Sequence, residues 1–395
     1  MKNTPNSNRL HIGIFGKTNS GKSSLLNAIT EQDISIVSDI AGTTTDSVTK
    51  AMEFLPYGPV LFIDTAGLED ESELGEARMK KTIQELKRTD FALLVMDVNA
   101  IDMAFYKDQE IIFKKYNIPF VLVLNKCENL TDASKYVIKK IFPNGIFIST
   151  KDRETILHLK EHILKEIQKE QEEPKLISDI IPYNGKIIMV VPIDSEAPKG
   201  RLILPQVQLL RECLDSGIKS YVVRDTELKS ALEDISDIDL VITDSQAFKN
   251  VEKIVENKAK LTSFSIIFAR QKGDLKDLVI GVKKLSKLNH GDKILISETC
   301  THNTSHEDIG RVKIPKLIKN YCGKELEFEF KSGKDFPEDL SKYAMIIHCG
   351  GCMINRKLMQ SRIDEAKALR IPITNYGLVI AEVNGILDKA IQIFR

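Results

Sequence analysis

The sequence GKTNSGKS at residues 16–23 decides the fold of the first part of the chain. It follows the apolar run His11–Phe15, which is typical of a buried strand, and it precedes the helical stretch Lys22–Thr30. In this strand–loop–helix context the pattern G-x-x-x-x-G-K-S forms a phosphate-binding loop. Gly16 and Gly21 let the backbone curl, so that its N–H groups face the phosphates. The stretch therefore predicts a nucleotide-binding α/β domain.

Individual side chains of this loop have expected roles in nucleotide chemistry. The Lys22 ammonium should reach the β- and γ-phosphates, and the Ser23 hydroxyl should bind Mg²⁺. The positive N-terminal end of the helix that starts near Lys22 adds to the attraction for phosphate. The residues of this stretch that we expect to contact the nucleotide are Gly16, Asn19, Ser20, Gly21, Lys22, Ser23 and Ser24.

A later strand-like run also ends on residues that nucleotide chemistry needs. Asp64 closes the run Val60–Asp64, where its carboxylate can hold the Mg²⁺ shell, and the N–H of Gly67 can sense the γ-phosphate. Thr44, in a preceding threonine-rich loop, is expected to complete the Mg²⁺ shell together with Ser23. The residues expected to take part in hydrolysis are Lys22, Asn19, Thr44, Asp64 and Gly67.

Two further strand ends carry residues suited to a nucleotide base. The sequence NKCE at residues 125–128 resembles the guanine-specificity motif Asn-Lys-x-Asp. Asn125 would bond the base edge, and Lys126 would lie along its plane. Glu128 replaces the usual aspartate; it keeps the pair of acceptor oxygens but is one methylene longer, so we expect guanine rather than adenine with an altered reach. The last base-contacting loop is expected at Ser149, Thr150 and Lys151.

The composition is that of a globular chain with more than one domain. The chain has 395 residues, of which 42% are hydrophobic and 28% charged, and this length favours two or three domains. Lys+Arg and Asp+Glu number 56 each, so no excess of positive charge attracts nucleic acid. Met1–Arg9 has no apolar signal segment, and no apolar run reaches the ~18 residues that span a bilayer. We therefore expect a cytoplasmic protein that binds neither nucleic acid nor membrane, in which clustered cysteines are metal ligands rather than disulfides.

Alternating strand-like and helical stretches predict three consecutive α/β domains with mainly parallel sheets, the first a P-loop GTPase. The expected domains are residues 1–170, 176–261 and 262–395. In the second domain no strand end carries a ligand cluster. Its apolar run Ile187–Ile193 can be a central strand or an edge strand offered to a second copy, and the run Phe264–Ala269 in the third domain is expected to be a strand.

Cysteines and histidines lie just beyond two strand-like runs of the third domain, Lys293–Ser297 and Ala344–Ile347. These residues are Cys300, His302, His348, Cys349 and Cys352. In parallel sheets, ligands gather beyond the carboxyl ends of the strands. If the two runs and a third, Ile371–Thr374, are neighbouring strands, we expect these side chains to converge on one crevice.

Spacing alone leaves three interpretations of these residues open. A structural zinc site can combine Cys349, Cys352 and Cys300 with one histidine. An iron–sulfur cluster with three thiolates and one exchangeable site uses the same three cysteines. A redox-active Cys-x-x-Cys pair leaves Cys300 unused. In either metal interpretation the fourth position is filled by His302, His348, a carboxylate, water or an external ligand.

The nucleotide motifs resemble those of translation-factor-like GTPases of the TrmE–Era–EngA type. Leu68 follows the sequence Asp-Thr-Ala-Gly, and a leucine cannot orient the attacking water as a glutamine does. In relatives with this replacement, a potassium ion held by an asparagine of the phosphate loop supplies charge in place of an arginine finger. Asn19 matches that asparagine. The resemblance therefore implies slow GTP hydrolysis that is stimulated by K⁺.

The cysteine pattern behind such a GTPase resembles the HydF family of FeFe-hydrogenase maturation proteins, over the whole chain. The resemblance rests on Cys300-x-His302, forty-five intervening residues and then His348-Cys349-x-x-Cys352. It implies a 4Fe-4S cluster bound by Cys300, Cys349 and Cys352. The fourth site of the cluster is then labile, and His302 or His348 is a candidate for it.

The resemblance also implies a function. The chain would be a GTP-binding scaffold or carrier that delivers the di-iron precursor of the H-cluster to apo FeFe-hydrogenase, working as a homodimer with two radical-SAM maturases. The implied dimer interface is the middle domain, which favours the edge-strand interpretation of Ile187–Ile193. Glu128 is the clear departure from the family pattern. The alternatives are a zinc- or cluster-regulated GTPase that acts on tRNA or ribosomes, and a redox sensor.

Overall fold

A computed structural model of the chain divides it into two compact units, Met1–Glu172 and Glu173–Arg395. The residues that the structure describes are 4–31, 36–40, 48–65, 73–169, 174–193, 200, 202–299, 309–333 and 335–395. Within these ranges, none of the helices combines the length and the apolar character needed to cross a membrane.

The described part of the first unit contains one seven-stranded sheet with helices on both faces. Its strands are β1 (Leu10–Gly16), β2 (Ile36–Ile40), β3 (Val48–Phe54), β4 (Gly58–Asp64), β5 (Phe91–Asp97), β6 (Phe120–Asn125) and β7 (Ile146–Phe147). Its helices are α1 (Lys22–Glu31), α2 (Glu73–Arg88), α3 (Met103–Lys115), α4 (Asp132–Ile141) and α5 (Arg153–Lys169). The strand order is β2-β3-β4-β1-β5-β6-β7, and all pairs are parallel except β2–β3 and β3–β4.

Alternation along the central strands explains the two helical layers. Ile12 and Ile14 of β1 belong to a core shared with α1 and α5. Phe15, the next residue on the other face, packs in a second core with Phe105 and Phe113 of α3. Strands that are buried on both faces are typical of a parallel sheet covered by helices. The predicted α/β class with mainly parallel pairing is confirmed.

The second unit contains two four-stranded sheets among its described residues, and both are parallel throughout. Their strands are β8 (Lys186–Val190), β9 (Lys219–Val223), β10 (Leu240–Thr243), β11 (Lys260–Ser263), β12 (Lys293–Glu298), β13 (Glu327–Ser332), β14 (Met345–His348) and β15 (Ile373–Asn375). The first sheet has the order β11-β10-β8-β9, and the second has the order β13-β12-β14-β15. The helices are α6 (Leu204–Asp215), α7 (Leu228–Asp234), α8 (Phe248–Val255), α9 (Phe264–Lys272), α10 (Leu275–Val282), α11 (Ile314–Cys322), α12 (Arg356–Ala368), α13 (Tyr376–Val383) and α14 (Leu387–Ala390).

The expectation that Ile187–Ile193 offers an edge strand is wrong. This run forms β8, which pairs with β10 on one side and with β9 on the other, so its backbone bonds are already used. The described edges of this sheet are β9 and β11. Val222 on β9 remains largely exposed, whereas the apolar residues of β8 are buried. The expected domain boundary between residues 261 and 262 falls inside β11.

The expectation that Phe264–Ala269 is a strand is also wrong, because these residues begin helix α9. The Ser263 hydroxyl caps the helix by accepting a hydrogen bond from the Ile266 N–H at 3.4 Å. Apolar side chains on all sides of α9 are buried, including Phe264, Ile267 and Phe268. A helix that is apolar all round has no amphipathic period, so its sequence resembles that of a buried strand.

The second sheet of this unit brings three strand ends together. Strand β14 lies between β12 and β15, with Ser297 opposite His348 and His348 opposite Asn375. The condition stated for a common crevice, that these three strands are neighbours, is therefore met.

A tight contact between α10 and β15 gives a test of the packing. A Cβ on Gly281 would lie 2.0 Å from the Ile373 carbonyl oxygen, which is backbone and cannot move aside. Gly→Ala in a helix normally stabilises by about 1 kcal/mol. Here we expect Gly281→Ala to destabilise the chain by about 1–3 kcal/mol, measured as a lower denaturant midpoint. Lys276→Ala, on the exposed side of the same helix, is the control, and a midpoint for Gly281→Ala at or above wild type would contradict this packing.

Candidate functional site

The predicted phosphate loop connects β1, which ends at Gly16, to α1, which begins at Lys22. A Cβ on Gly16 would lie 2.4 Å from the Val95 carbonyl oxygen. A Cβ on Gly21 would lie 2.2 Å from Nδ2 of Asn125, and the φ of Gly21 is +96°. Side chains do not fit such approaches, so the path of the loop requires glycine at both positions.

Two side chains expected to bind phosphate and Mg²⁺ lie at the start of α1. The buried Lys22 ammonium donates to the carbonyl oxygens of Gly16 and Lys17 at 2.9 and 2.8 Å. The Ser23 hydroxyl donates to the Asp64 carboxylate at 2.6 Å. Burial lowers the pKa of Lys22 and raises the pKa of Asp64, although the hydrogen bond from Ser23 opposes the second shift. A phosphate and a Mg²⁺ ion would compensate these two partly desolvated charges.

The remaining residues expected to contact the nucleotide or Mg²⁺ are exposed, buried without a partner, or outside the described residues. Asn19 is exposed in the left-handed region, with φ at +62°. The Ser20 side chain is buried and its hydroxyl has no hydrogen-bond partner, whereas Ser24 is exposed on the first turn of α1. Thr44 and Gly67 lie outside the described residues.

The predicted base loop is tied to the phosphate loop by two side chains. Nδ2 of Asn125 donates to the Ser20 carbonyl oxygen at 3.0 Å. The Lys126 ammonium donates to the Asn19 carbonyl oxygen at 2.7 Å and to the Asp97 carboxylate at 2.8 Å. Sequence reasoning missed Asp97, which ends β5 directly opposite Asn125. Its position at the end of a buried strand was the available signal.

The Glu128 carboxylate lies beside the last predicted base-contacting loop. It is 3.5 Å from the Lys151 ammonium. Its own backbone N–H, followed by Ser149 and Lys151, lowers the pKa of Glu128. The structure therefore brings Glu128, Ser149 and Lys151 together, with Thr150 half-buried in the same loop. An exposed anionic carboxylate at this place can accept from the N1–H and the exocyclic amine of guanine.

A cavity of about 190 Å³ lies between the phosphate loop and the base loop. Asn19, Asp97 and Lys126 form polar parts of its wall. At another part of the wall the Lys17 ammonium pairs with Asp102 at 2.7 Å. Of the residues expected to contact the nucleotide, the wall of this cavity includes Asn19, Ser20 and Lys126.

In the second unit, residues 349–354, here called the cysteine loop, leave the carboxyl end of β14. The N–H of Cys349 donates to the Ser297 carbonyl oxygen at 2.9 Å, which continues the pairing with β12. The Cys349 sulfur is buried and accepts from the Thr299 N–H at 3.2 Å, and the Thr299 hydroxyl lies 3.1 Å away. These contacts fix the position of the Cys349 sulfur at the start of the cysteine loop.

A buried cation holds the rest of the cysteine loop. The Lys272 ammonium donates to the carbonyl oxygens of Gly351 at 2.8 Å, Cys352 at 3.4 Å and Ile354 at 2.8 Å. Gly351 has φ at +67°, and a Cβ there would lie 2.5 Å from Cε of Met359. Burial, followed by the neighbouring Cys349, raises the pKa of the Cys352 thiol. A bound metal ion would reverse that effect by favouring the thiolate.

His348 is held away from a ligand role. Its Nε2 lies 2.7 Å from Nη1 of Arg362, and its Nδ1 lies 2.9 Å from the Cys349 carbonyl oxygen. Because arginine only donates, Nε2 accepts and Nδ1–H donates. Burial lowers the pKa of His348 to about 3, with a further contribution from Arg362, so the ring is neutral. Both nitrogens have partners in this structure, so His348 could bind a metal only by giving up one of these two contacts.

The described residues supply two of the three expected thiols. Cys300 and His302 lie outside the described part of the chain, and within that part no group of three or more metal-binding side chains occurs. The donor set nevertheless fits a thiolate-bound metal centre, because Lys272, Arg362 and the Thr299 N–H surround the cysteines with positive charge and hydrogen-bond donors. Sequence reasoning missed these three residues, and none of them belongs to a motif.

Family models match most of the chain in three segments. The model for the hydrogen maturase F dimerization domain matches residues 176–273. The model for the hydrogen maturase F tetramerization domain matches residues 276–393. The model described as 50S ribosome-binding GTPase matches residues 11–126, so the first unit carries a GTPase domain. The first two models meet after α9, which places Lys272 at the end of the dimerization segment.

The curated relatives that match part of this chain include two bacterial GTPases. GTPase Der of a Nitratiruptor species is 29% identical over 231 residues, covering 51% of this chain and 49% of its own length. The tRNA modification GTPase MnmE of Mesoplasma florum is 36% identical over 146 residues, covering 36% of this chain and 31% of its own length. The chain thus spans half or less of these relatives. Among solved structures, Era of Aquifex aeolicus bound to GDP.AlF4- is 18% identical with a TM-score of 0.33, covering 62% of this chain and 98% of its own.

The position of Glu128 leads to a test of base recognition. Glu128→Ala removes the anionic acceptor, so we expect GTP to bind about 100-fold more weakly, the effect of about 3 kcal/mol from a charge-assisted pair of hydrogen bonds. ATP affinity should stay unchanged. Calorimetric titration measures both, with Glu161→Ala on the exposed side of α5 as the control. Unchanged GTP affinity in Glu128→Ala would show that this carboxylate does not contact the base.

Proposed function

Because this chain belongs to the hydrogen maturase F family, we propose that it is a GTP-binding scaffold that carries a 4Fe-4S cluster and delivers the di-iron precursor of the H-cluster to apo FeFe-hydrogenase. One observation supports the cluster part most strongly. The cysteine loop carries two free cysteines beyond the carboxyl end of β14. A buried lysine and a buried arginine beside the loop supply positive charge. In the same chain, the first unit is a GTPase domain.

The proposed cluster ligands are Cys300, Cys349 and Cys352, as the sequence predicts. When bound by three thiolates, a 4Fe-4S cluster supplies one iron whose fourth ligand can exchange. The Thr299 N–H donates to the sulfur of Cys349 and would hold this ligand in place, and Cys349 is buried. His348 leaves the exchangeable position free, because both of its nitrogens are engaged.

For the GTPase part, we propose slow hydrolysis stimulated by K⁺ and dependent on Mg²⁺. Lys22 would neutralise charge on the β- and γ-phosphates, Ser23 and Thr44 would bind Mg²⁺, and Asp64, which already contacts Ser23, would hold the Mg²⁺ shell. The N–H of Gly67 would sense the γ-phosphate. Leu68 cannot orient the attacking water, so the exposed Asn19 would bind K⁺ beside the phosphates.

The proposal includes partners and a compartment. Two segments match dimerization and tetramerization models, which supports self-association, and we propose a homodimer as the basic assembly. Apo FeFe-hydrogenase and two radical-SAM maturases are the proposed protein partners, in the cytoplasm, and no nucleic acid is involved. The expected domains are 1–170, 176–261 and 262–395; because the last boundary falls inside β11, we propose to move it to residues 273–276, where two family models meet.

Removal of single thiols tests the cluster assignment. Cys300→Ala, Cys349→Ala and Cys352→Ala should each lose most bound iron and sulfide after anaerobic reconstitution and should abolish hydrogenase maturation, because two thiolates do not retain the cluster. GTP hydrolysis should stay unchanged, since the mutated residues lie outside the GTPase domain. Cys322→Ala, which removes a thiol of the same unit outside the cysteine loop, should behave like wild type.

The metal analysis in this experiment also separates the alternatives. Zinc without sulfide in the wild-type protein would favour a GTPase with a structural zinc site. A bound cluster whose reduction changes the rate of GTP hydrolysis would favour a redox sensor. Wild-type cluster content and normal maturation in the cysteine variants would contradict the proposed ligands.

A change of monovalent cation tests the hydrolysis mechanism. GTP hydrolysis should be faster in K⁺ than in Na⁺ at equal ionic strength, on the order of tenfold or more, because K⁺ adds positive charge where the transition state is negative. Phosphate release measures the rate. In Asn19→Ala the two rates should become equal, and equal rates in the wild-type protein would refute a role for K⁺.

A further inference from the structure

We propose that Lys272 positions the cysteine loop, and that its buried positive charge offsets the negative charge of a thiolate-bound cluster. The first part of this proposal depends only on the structure of the chain. The second part rests on the proposed function, since it requires a bound cluster.

The Lys272 ammonium contacts several backbone carbonyl groups of the cysteine loop. A lysine has three N–H donors, and three backbone carbonyl oxygens of the cysteine loop lie within hydrogen-bond distance of Nζ, at 2.8, 3.4 and 2.8 Å. These carbonyl groups belong to the second cysteine, Cys352, and to residues before and after it in the sequence, Gly351 and Ile354. Without the ammonium, these buried oxygens would lose a charged donor.

Helix α9 holds Lys272 in place at both ends. Ser263 caps the start of the helix. At its C-terminal end, the Gln271 carbonyl oxygen accepts from Nη1 of Arg356 at 2.6 Å, and the Lys272 carbonyl oxygen accepts from Nε2 of Gln360 at 3.1 Å. Both donors lie on α12, the helix that follows the cysteine loop. The end of α9 therefore accepts two hydrogen bonds from α12, while Lys272 donates to the loop that precedes α12. These contacts fix the ammonium against the loop.

The charge of Lys272 has a chemical consequence once a cluster is bound. Burying an ammonium is costly unless negative charge lies nearby. Three thiolates on a dicationic cluster core leave a net negative charge, and Arg362 adds a second buried cation on the His348 side of the loop. A positive charge near a cluster stabilises its reduced state, because reduction adds negative charge. Loss of Lys272 should therefore lower the reduction potential.

The experiment uses the full chain with Lys272→Met, which replaces the lysine by an unbranched side chain one atom shorter and removes its charge and donors. In the protein without cluster, hydrogen exchange followed by mass spectrometry should show amides of residues 349–354 exchanging about tenfold faster, or more, than in wild type. After anaerobic reconstitution, a redox titration monitored by electron paramagnetic resonance should give a more negative midpoint potential at equal iron content. Lys276→Met removes an exposed lysine nearby and should change neither quantity.

Each part of the proposal can fail separately. Unchanged exchange in Lys272→Met would overturn the positioning role, and an unchanged potential at full iron content would overturn the charge role. Lys272→Arg keeps the charge with a different donor geometry. It should retain the wild-type potential while its loop exchanges faster, so a negative shift in this variant would also overturn the charge role, even if Lys272→Met does not fold. If the wild-type chain binds no cluster, the proposed function fails while the exchange measurement still tests the positioning role.

Discussion

In a parallel sheet the carboxyl ends of all strands lie on the same side, so the loops that follow them are close together. This constraint determines where the chain can build a site. In the first unit, Gly16, Asp64 and Asn125 end strands of one parallel arrangement, and their side chains or loops meet. In the second unit, His348 and Asn375 end neighbouring strands in the same way. Loops that follow the carboxyl ends of neighbouring strands approach each other closely. Their backbone carbonyl groups are therefore partly withdrawn from water and need hydrogen-bond donors from other residues.

In both candidate sites a buried lysine supplies these donors. The two lysines differ in how far along the chain they lie from the carbonyl groups that they contact. Lys22 donates to carbonyl oxygens only five and six residues away, within its own loop. Such local bonds can be given up for a phosphate without disturbing other elements. Lys272 donates across 79 to 82 residues, from a helix anchored at both ends. Its role is therefore static: it supports the shape of the cysteine loop, whereas Lys22 can exchange one set of acceptors for another.

Sequence reasoning succeeded where the signal is local. The phosphate loop at residues 16–23 and the polar residues at strand ends are short patterns, and regular alternation predicted the parallel α/β class that the structure confirms. It failed for Phe264–Ala269 because a continuous apolar run has no period that separates a buried helix from a buried strand. It failed for Lys272 and Arg362 because a single basic residue in a helix carries no sign of the distant loop that it contacts. Long-range contacts of this kind exist only after the chain has folded.

Arg362 shows how His348, which is adjacent to a proposed cluster ligand, could stay out of a metal's coordination shell. To bind a metal, His348 would have to break its 2.7 Å contact with Arg362 or its bond to the Cys349 carbonyl oxygen. The first loss would leave a buried guanidinium, whose Nε already has no partner, with one acceptor fewer. Leaving a buried charged donor without one of its acceptors costs about 1–3 kcal/mol or more. For a cluster of the proposed kind, this cost keeps His348 from closing the fourth position, and an external ligand can therefore enter and leave it.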